Sequence, residues 1–368
     1  MNNYWIYLTV CLLSAATALV LTPVVKLLAL KYRQLDTPSI RKVHQQPMVR
    51  LGGIAIFCAT LWSVAWIWWG SEYGSLAAAD AGAVKCLLLG GSGFFLIGFA
   101  DDLYGLSAFR RLWMQGTVAA LVWGQGLRIE TLVLPGFEPV ALSWLSLPLT
   151  VVWLVGVVNA INWIDGLDGL AAGICAIAAG VLVILAMMSA QPEIVYVGLA
   201  LVGGLLGFWC YNYSPAEIFM GDGGAYLVGF MLGGLCVIEP QYLEKLENPF
   251  VTVLPLVVLA VPLADMVSVI VTRLYCRVSP FSADNRHFHH RLLDIGFSDR
   301  EVVLIVHCLS LWTGSLALVM ADVIGGWVWA TLSAALLSVA VYPIGRVREI
   351  AMNNSEIANG DVWYSKSL

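Results

Sequence analysis

The chain has 368 residues, of which 60% are hydrophobic and 12% are charged, with a formal net charge of −5 and a mean hydropathy of +0.84. So few polar side chains cannot cover a soluble globule of this length, and the composition therefore indicates an integral membrane protein. The apolar runs are about 20 residues long, as membrane-spanning helices require, and lack the short alternating pattern of barrel strands.

The predicted fold class is an all-α polytopic membrane bundle of about eleven transmembrane helices. In chain order, the apolar segments are residues 5–29, 51–70, 82–100, 112–127, 145–164, 168–189, 194–211, 224–238, 250–272, 302–321 and 324–345. Residues 1–350 are expected to form one membrane domain, and residues 351–368 a polar tail.

Basic residues are concentrated in alternate loops, above all in residues 31–50, 110–111 and 273–300. Because short cytoplasmic loops carry an excess of Lys and Arg, these loops are predicted to be cytoplasmic. The N-terminus is then outside and the C-terminus inside. The cytoplasmic segments of interest are residues 31–50, 101–111, 162–169, 212–223 and 273–301.

Carboxylates gather at the cytoplasmic ends of the predicted helices. They are Asp101, Asp102, Asp165, Asp168 and Asp222, with Asp265 inside an apolar segment. Ionised groups at the edge of hydrocarbon persist mainly where they line a polar cavity or hold a cation. Oxygen ligands without a Cys or His cage favour Mg²⁺, with Mn²⁺ as a substitute, and Mg²⁺ commonly shares its shell with substrate phosphates.

A basic cluster in residues 285–291 is predicted on the same face of the membrane. Its Arg and His side chains suit phosphate oxygens. Carboxylates for a metal facing basic groups for phosphates are typical of phosphoryl transfer, in which positioning and charge neutralisation supply most of the rate.

Each motif also has a simpler interpretation. Asp101 and Asp102 could be a solvated helix end, residues 159–169 a glycine-rich turn, and Asp222 a helix N-cap. A zinc site in the histidine run is disfavoured because no matching Cys or His pair occurs elsewhere. An ion-coupled transporter is an alternative class, although its binding groups usually lie near the midplane, and a non-catalytic lipid-binding scaffold is another. No nucleic-acid partner is expected.

A series of motifs runs along the chain. They are Asp36-Thr37-Pro38, Arg41-Lys42-Val43-His44, Gly52-Gly53, Asp101-Asp102 with Arg111 and Gln115, residues 159–169, Asn212, residues 219–222, Pro262-Leu263-Ala264-Asp265 and residues 287–290. The order of these motifs resembles that of the polyprenyl-phosphate N-acetylhexosamine-1-phosphate transferases, the WecA/TagO-like enzymes related to MraY. The resemblance covers essentially the whole chain.

The resemblance implies a role for each matched residue. Asp222 would be the principal Mg²⁺ ligand with Asn162 nearby, and Asp168 would bind uracil. Asp101 and Asp102 would lie beside the attacking lipid phosphate, either as base or as organisers of the metal. The remaining substrate-binding residues would be Asp165, Asn212, Arg111, Lys42, His44, His287, His289, His290 and Arg291, with Asp265 in support.

The implied reaction is attack by undecaprenyl phosphate on UDP-N-acetylglucosamine, which releases UMP and starts a cell-envelope polysaccharide. Phe288 interrupts the histidine run, which fits the WecA/TagO pattern better than the three adjacent histidines of MraY. UDP-GalNAc, a 6-deoxy-N-acetylhexosamine donor and UDP-MurNAc-pentapeptide remain alternatives, because one epimeric hydroxyl can depend on one or two contacts. The resemblance further implies a multi-pass protein of the cytoplasmic membrane, with its active site facing the cytoplasm, and a homodimer.

Overall fold

The computed structural model describes residues 4–32, 48–70, 81–243, 248–279 and 286–341. Within these ranges the regular structure is almost entirely α-helical. The elements in chain order are α1 (Tyr4–Lys31), α2 (Gly53–Gly70), α3 (Ala81–Tyr104), α4 (Ala108–Gly124), β1 (Thr131–Leu132), β2 (Val140–Ala141), a 3-10 turn (Ser143–Leu145), α5 (Ser146–Ile164), α6 (Leu170–Met188), α7 (Pro192–Asn212), α8 (Gly221–Leu243), α9 (Leu254–Val258), α10 (Ala260–Tyr275), α11 (Phe288–Asp294), α12 (Asp299–Met320) and α13 (Gly326–Val341).

Seven helices in the described part of the chain are long and apolar enough to cross a membrane. They lie in α1, α3, α5, α6, α7, α8 and α12, whereas α2 and α13 are shorter apolar helices. The predicted class, an all-helical membrane protein, is confirmed. The number of eleven spans and the sides on which the termini lie stay predictions.

The predicted segment 250–272 is not one continuous helix. α9 ends at Val258, and α10 begins at Ala260 after Leu259, whose backbone is outside the helical region. Pro262 has no N–H to donate to the carbonyl of Val258, and its ring would clash with that carbonyl in an unbroken helix. The break therefore follows from the proline. The predicted loop 273–301 likewise contains the end of α10 and the short helix α11.

Helix α8 lies at the centre of the bundle. Of the segment Gly221–Ile238, 94% is buried, and α8 packs against α2, α3, α5 and α6. The rings of Phe94 in α3 and Phe230 in α8 stack with centroids 4.8 Å apart. Because α3 and α8 are antiparallel neighbours, the end of α3 meets the beginning of α8, and the acidic residues at these two helix ends come together.

Strands β1 and β2 form a hairpin, which lies at the opposite end of α5 from the acidic residues of α3 and α8. Thr131 of β1 pairs with Ala141 of β2 in antiparallel register. A largely apolar cavity of about 410 Å³ lies between this hairpin and the helices, with Leu149 and Trp153 of α5 in its wall. Asn159 and Asn162 of α5 lie near its other end, beside the acidic cluster, so this cavity is remote from that cluster.

Candidate active site

The paired aspartates at the end of α3 have different partners. One oxygen of Asp101 accepts a 2.7 Å bond from Arg111, and the other accepts a 2.7 Å bond from the backbone N–H of Leu106. The hydroxyl of Tyr226 lies 3.5 Å from the oxygen that Arg111 contacts. Asp101 is only 7% exposed, and a buried carboxylate needs such partners. Asp101 therefore holds Arg111 in place at the site.

Asp102 binds the beginning of α8. Its two oxygens accept 2.9 Å hydrogen bonds from the backbone N–H groups of Asp222 and Gly223. The first N–H groups of a helix have no partner within the helix and favour negative charge. Asp102 thus caps α8 from a neighbouring helix and fixes the backbone of Asp222.

Asp222 is the acidic residue around which the other polar groups are arranged. The side-chain amide of Asn162, near the end of α5, donates a 2.6 Å hydrogen bond to Oδ1 of Asp222. The guanidinium of Arg50 lies 3.8 Å from the same oxygen. The side chain of Asp222 is 15% exposed, so the carboxylate is reachable from outside the bundle.

These groups fit Mg²⁺ chemically, because a carboxylate and an amide offer only hard oxygen ligands. Among the described residues, no group of three Cys, His, Asp or Glu side chains is arranged to hold a metal ion. A site with one or two protein ligands matches the way Mg²⁺ binds where substrate phosphates complete its shell. Asp222 and Asn162 are the residues that would hold the ion.

Residues 165–169 connect α5 to α6 and place two more acids near Asp222. Burial raises the pKa of Asp165 to about 7; the charges of Asp222 and Asp168 also raise it, against the opposing effect of Arg50. One oxygen of Asp168 accepts a 2.8 Å bond from the backbone N–H of Ala216. The contact of Asp168 with uracil stays a prediction.

Asn212, at the end of α7, joins two loops. Its side-chain oxygen accepts a 3.2 Å bond from the N–H of Gly169, and its side-chain nitrogen donates a 2.9 Å bond to the carbonyl of Ile218. It is 2% exposed. Its amide is thus engaged in holding the loops, and a direct contact with substrate stays a prediction.

Asp265 positions the histidine segment. Its carboxylate lies 2.8 Å from Nδ1 of His287 and accepts a 2.6 Å bond from the backbone N–H of Phe288. The ring of Trp163 meets that of His287 edge-on, with centroids 6.0 Å apart. These contacts fix the first turn of α11, because Phe288 is its first residue. α11 is thereby held beside the end of α5.

His289 lies between the other two histidine rings. It is 2% exposed, and neither ring nitrogen has a hydrogen-bond partner among the described residues. Burial, and after it the neighbouring His290 and His287, lower its pKa to about 3. A side chain in place of Gly166 would force the His289 ring to move, because a Cβ at that position would lie 2.5 Å from Nε2 of His289. His289 is therefore neutral at physiological pH.

The other predicted binding residues are placed only in part. His290 packs at 4.4 Å, centroid to centroid, against His289. Nε of Arg291 donates a 2.9 Å bond to the carbonyl of Arg286. Lys42 and His44 lie outside the described residues.

Sequence reasoning assigned no role at the site to three residues that contribute to it. Arg50 was counted only as a loop charge, yet it lies next to Asp222. Tyr226 was treated as part of an apolar run, although its hydroxyl faces Asp101. Asn159 donates a 2.8 Å bond to Gln115 and so links α5 to α4 below Arg111. The glycine pair Gly52-Gly53, which begins two residues after Arg50, was the available signal for its position.

The chain resembles known proteins over most of its length. Residues 84–239 match the sequence profile of glycosyl transferase family 4. A Bacillus subtilis (strain 168) protein described as a probable undecaprenyl-phosphate N-acetylglucosaminyl 1-phosphate transferase is 34% identical over 301 residues, covering 81% of this chain and 80% of that protein. A Mycobacterium leprae decaprenyl-phosphate N-acetylglucosaminephosphotransferase is 32% identical over 328 residues, covering 82% of this chain and 80% of the relative.

A third relative comes from Pasteurella multocida. This undecaprenyl-phosphate alpha-N-acetylglucosaminyl 1-phosphate transferase is 30% identical over 287 residues, covering 76% of each chain. The helical membrane fold, the polar site at one end of the bundle and these relatives define a membrane-embedded transferase. The chain belongs to glycosyl transferase family 4, among the polyprenyl-phosphate N-acetylhexosamine-1-phosphate transferases.

Proposed function

We propose that this protein transfers N-acetylglucosamine 1-phosphate from UDP-GlcNAc to undecaprenyl phosphate, releasing UMP. The observation that carries the proposal is the meeting of Asp222, Asn162 and the paired aspartates with Arg50 and Arg111 at one end of the bundle. An acidic half for a metal ion and a basic half for phosphates are the parts that phosphoryl transfer needs.

Mg²⁺ held by Asp222 and Asn162 would neutralise charge on the donor's diphosphate and on the leaving UMP. The protein's own contribution is positioning. Asp102 fixes the backbone at Asp222 and Gly223 through two hydrogen bonds, and Asp101 orients Arg111 through an ion pair. Such preorganised charges lower a barrier because they need not rearrange during the reaction.

The basic groups would bind phosphate from two sides. Arg111, held by Asp101, would face the lipid phosphate, while the α11 segment with His287 and Arg291 would face the sugar diphosphate. Asp265 keeps His287 oriented through its bond to Nδ1, which leaves Nε2 as the ring atom directed away from Asp265. With these contacts, the attacking and leaving groups would lie on opposite sides of one phosphorus atom.

Two observations support GlcNAc as the sugar. The three relatives described above are all named as N-acetylglucosamine transferases, and Phe288 interrupts the histidine run of this chain. We further propose that the product starts a cell-envelope polysaccharide and that the site faces the cytoplasm, since Arg50 and Arg111 of the basic segments lie at it. A homodimer is part of the same proposal.

The test is UMP release by the purified protein in detergent. UDP-GlcNAc, UDP-GalNAc and UDP-MurNAc-pentapeptide are each supplied with and without undecaprenyl phosphate and Mg²⁺. We expect turnover of UDP-GlcNAc but not of the other two donors, and we expect this turnover to depend on both lipid and metal. Preference for another donor would refute the sugar assignment, and activity that survives chelation would refute the metal.

A further inference from the structure

Arg50 is held next to the acidic centre by the backbone on which it sits. The N–H of Phe219 donates a 2.8 Å bond to the carbonyl of Val49, and the N–H groups of Gly52 and Gly53 donate bonds of 3.0 and 2.8 Å to the carbonyls of Phe219 and Met220. The segment 49–53 is thereby joined to the chain that enters α8.

Gly221 makes this contact close. Its φ is +75°, a left-handed value that favours glycine, and a Cβ there would overlap the carbonyl oxygen of Arg50. The backbone of Arg50 therefore packs directly on the residue before Asp222. Its side chain starts from a fixed position beside the carboxylate.

The two arginines of the site contact their acids differently. Arg111 forms a 2.7 Å hydrogen-bonded ion pair with Asp101, whereas Arg50 lies 3.8 Å from Asp222. A separation of 3.8 Å is too long for a hydrogen bond, so the attraction between Arg50 and Asp222 is Coulombic. The side chain of Arg50 is 40% exposed, which leaves it accessible to a ligand.

We infer that Arg50 is the counter-charge of the acidic centre and a contact for the phosphate groups of the sugar-nucleotide donor. This inference rests on the proposed function and deepens it. A cation near Asp222 opposes binding of a metal ion alone, while it favours the donor's diphosphate. Arg50 thus makes metal binding depend on the donor, because the donor supplies the negative charge that offsets both cations.

Two variants and a matched control test separately whether Arg50 opposes metal binding and whether it contacts the donor's phosphates. Arg50→Gln removes the charge, and Arg50→Lys keeps it but loses the planar fork that fits phosphate. Arg128→Gln is the control, since Arg128 is 44% exposed, pairs with Glu130 and lies by the hairpin, at the other end of α5. Mn²⁺ binding to each purified protein without substrate is measured by calorimetry, and the KM for UDP-GlcNAc by UMP release.

Opposite changes are expected in the two measurements. Arg50→Gln should bind Mn²⁺ about tenfold more tightly, since a positive charge close to the metal position has gone, and its KM for the donor should rise about tenfold or more. Arg50→Lys should keep the Mn²⁺ affinity within about twofold while raising the KM. Arg128→Gln should change neither value.

Unchanged or weaker Mn²⁺ binding in Arg50→Gln would overturn the counter-charge assignment, and an unchanged KM would overturn the donor contact. The Mn²⁺ titrations are done without substrate and therefore do not depend on whether the protein turns over UDP-GlcNAc. If the unmodified protein released no UMP from UDP-GlcNAc, the proposed reaction would fail, while the titrations would still decide whether Arg50 opposes the metal.

Discussion

Replacing Asp265 with alanine tests whether the histidine segment is held for function. The carboxylate is 5% exposed and serves two groups, Nδ1 of His287 at 2.8 Å and the N–H of Phe288 at 2.6 Å. Hydrogen bonds to a charged partner contribute about 1.5–3 kcal/mol each. Losing both weakens the docking of α11 by at least about 3 kcal/mol, equivalent to more than a hundredfold in its docking equilibrium.

Asp265→Asn is the informative second variant. Its amide oxygen can still accept from Phe288, and its NH₂ can donate to Nδ1 of His287 if the ring adopts the other tautomer. The amide variant therefore keeps α11 docked while removing the charge. We expect intermediate activity for Asn and severe loss for Ala.

The assay is KM and kcat for UDP-GlcNAc together with the melting temperature in detergent. Because the donor must bind to the docked form, undocking raises the apparent KM in inverse proportion to the fraction of the protein that stays docked. Asp294→Ala, an exposed residue at the end of α11, is the control and should leave KM unchanged. An Asp265→Ala enzyme with KM and melting temperature close to the parent would refute the positioning role.

Three further outcomes are expected. Asp222→Asn should lower UMP release by at least about a thousandfold with an unchanged melting temperature, because the charge proposed to hold Mg²⁺ has gone; substantial residual turnover would contradict the assignment. Gly221→Ala should cost about 1–3 kcal/mol of folding stability and most of the activity, because φ is +75° and the Cβ has no room, whereas Gly116→Ala, with open space, should be neutral or stabilising in thermal melts. His289 has a pKa of about 3 in the folded protein against an ordinary 6.5, so the unfolded chain binds the proton more readily and stability is lost as pH falls below 6.5. Between pH 7.5 and 5.5 this loss is about 1.4 kcal/mol, and His289→Gln should abolish it; comparing variant with parent at each pH cancels the opposite contribution of Asp165, whose pKa is raised. An identical pH dependence in both proteins would contradict the buried neutral histidine.

The gathering of the acidic residues was predictable because each follows or begins an apolar segment on alternate loops. The positive-inside pattern then assigns those loops to one face without any distances. The break in segment 250–272 could also have been predicted, since Pro262 lies inside that segment. Both features follow from the order of residues along the chain and do not depend on long-range contacts, so one sequence is enough to predict them.

The partners of the acids could not be predicted. Asp101 and Asp102 are adjacent, yet one binds Arg111 and the other binds the backbone of α8. That division depends on how α3 and α8 pack, which neither residue type nor spacing records. Arg50 was missed for the same reason, because its position is set by hydrogen bonds to residues 219–220.

The joining of segment 49–53 to residues 219–220 has a consequence for biosynthesis. The two backbone segments lead into α2 and α8, and helices α2 to α7 are made between them. During synthesis, Arg50 can contact Asp222 only after α8 has been made and has packed into the bundle. A nascent chain stopped before α8 therefore has no assembled reaction centre, and the protein becomes competent for chemistry only late in its own production.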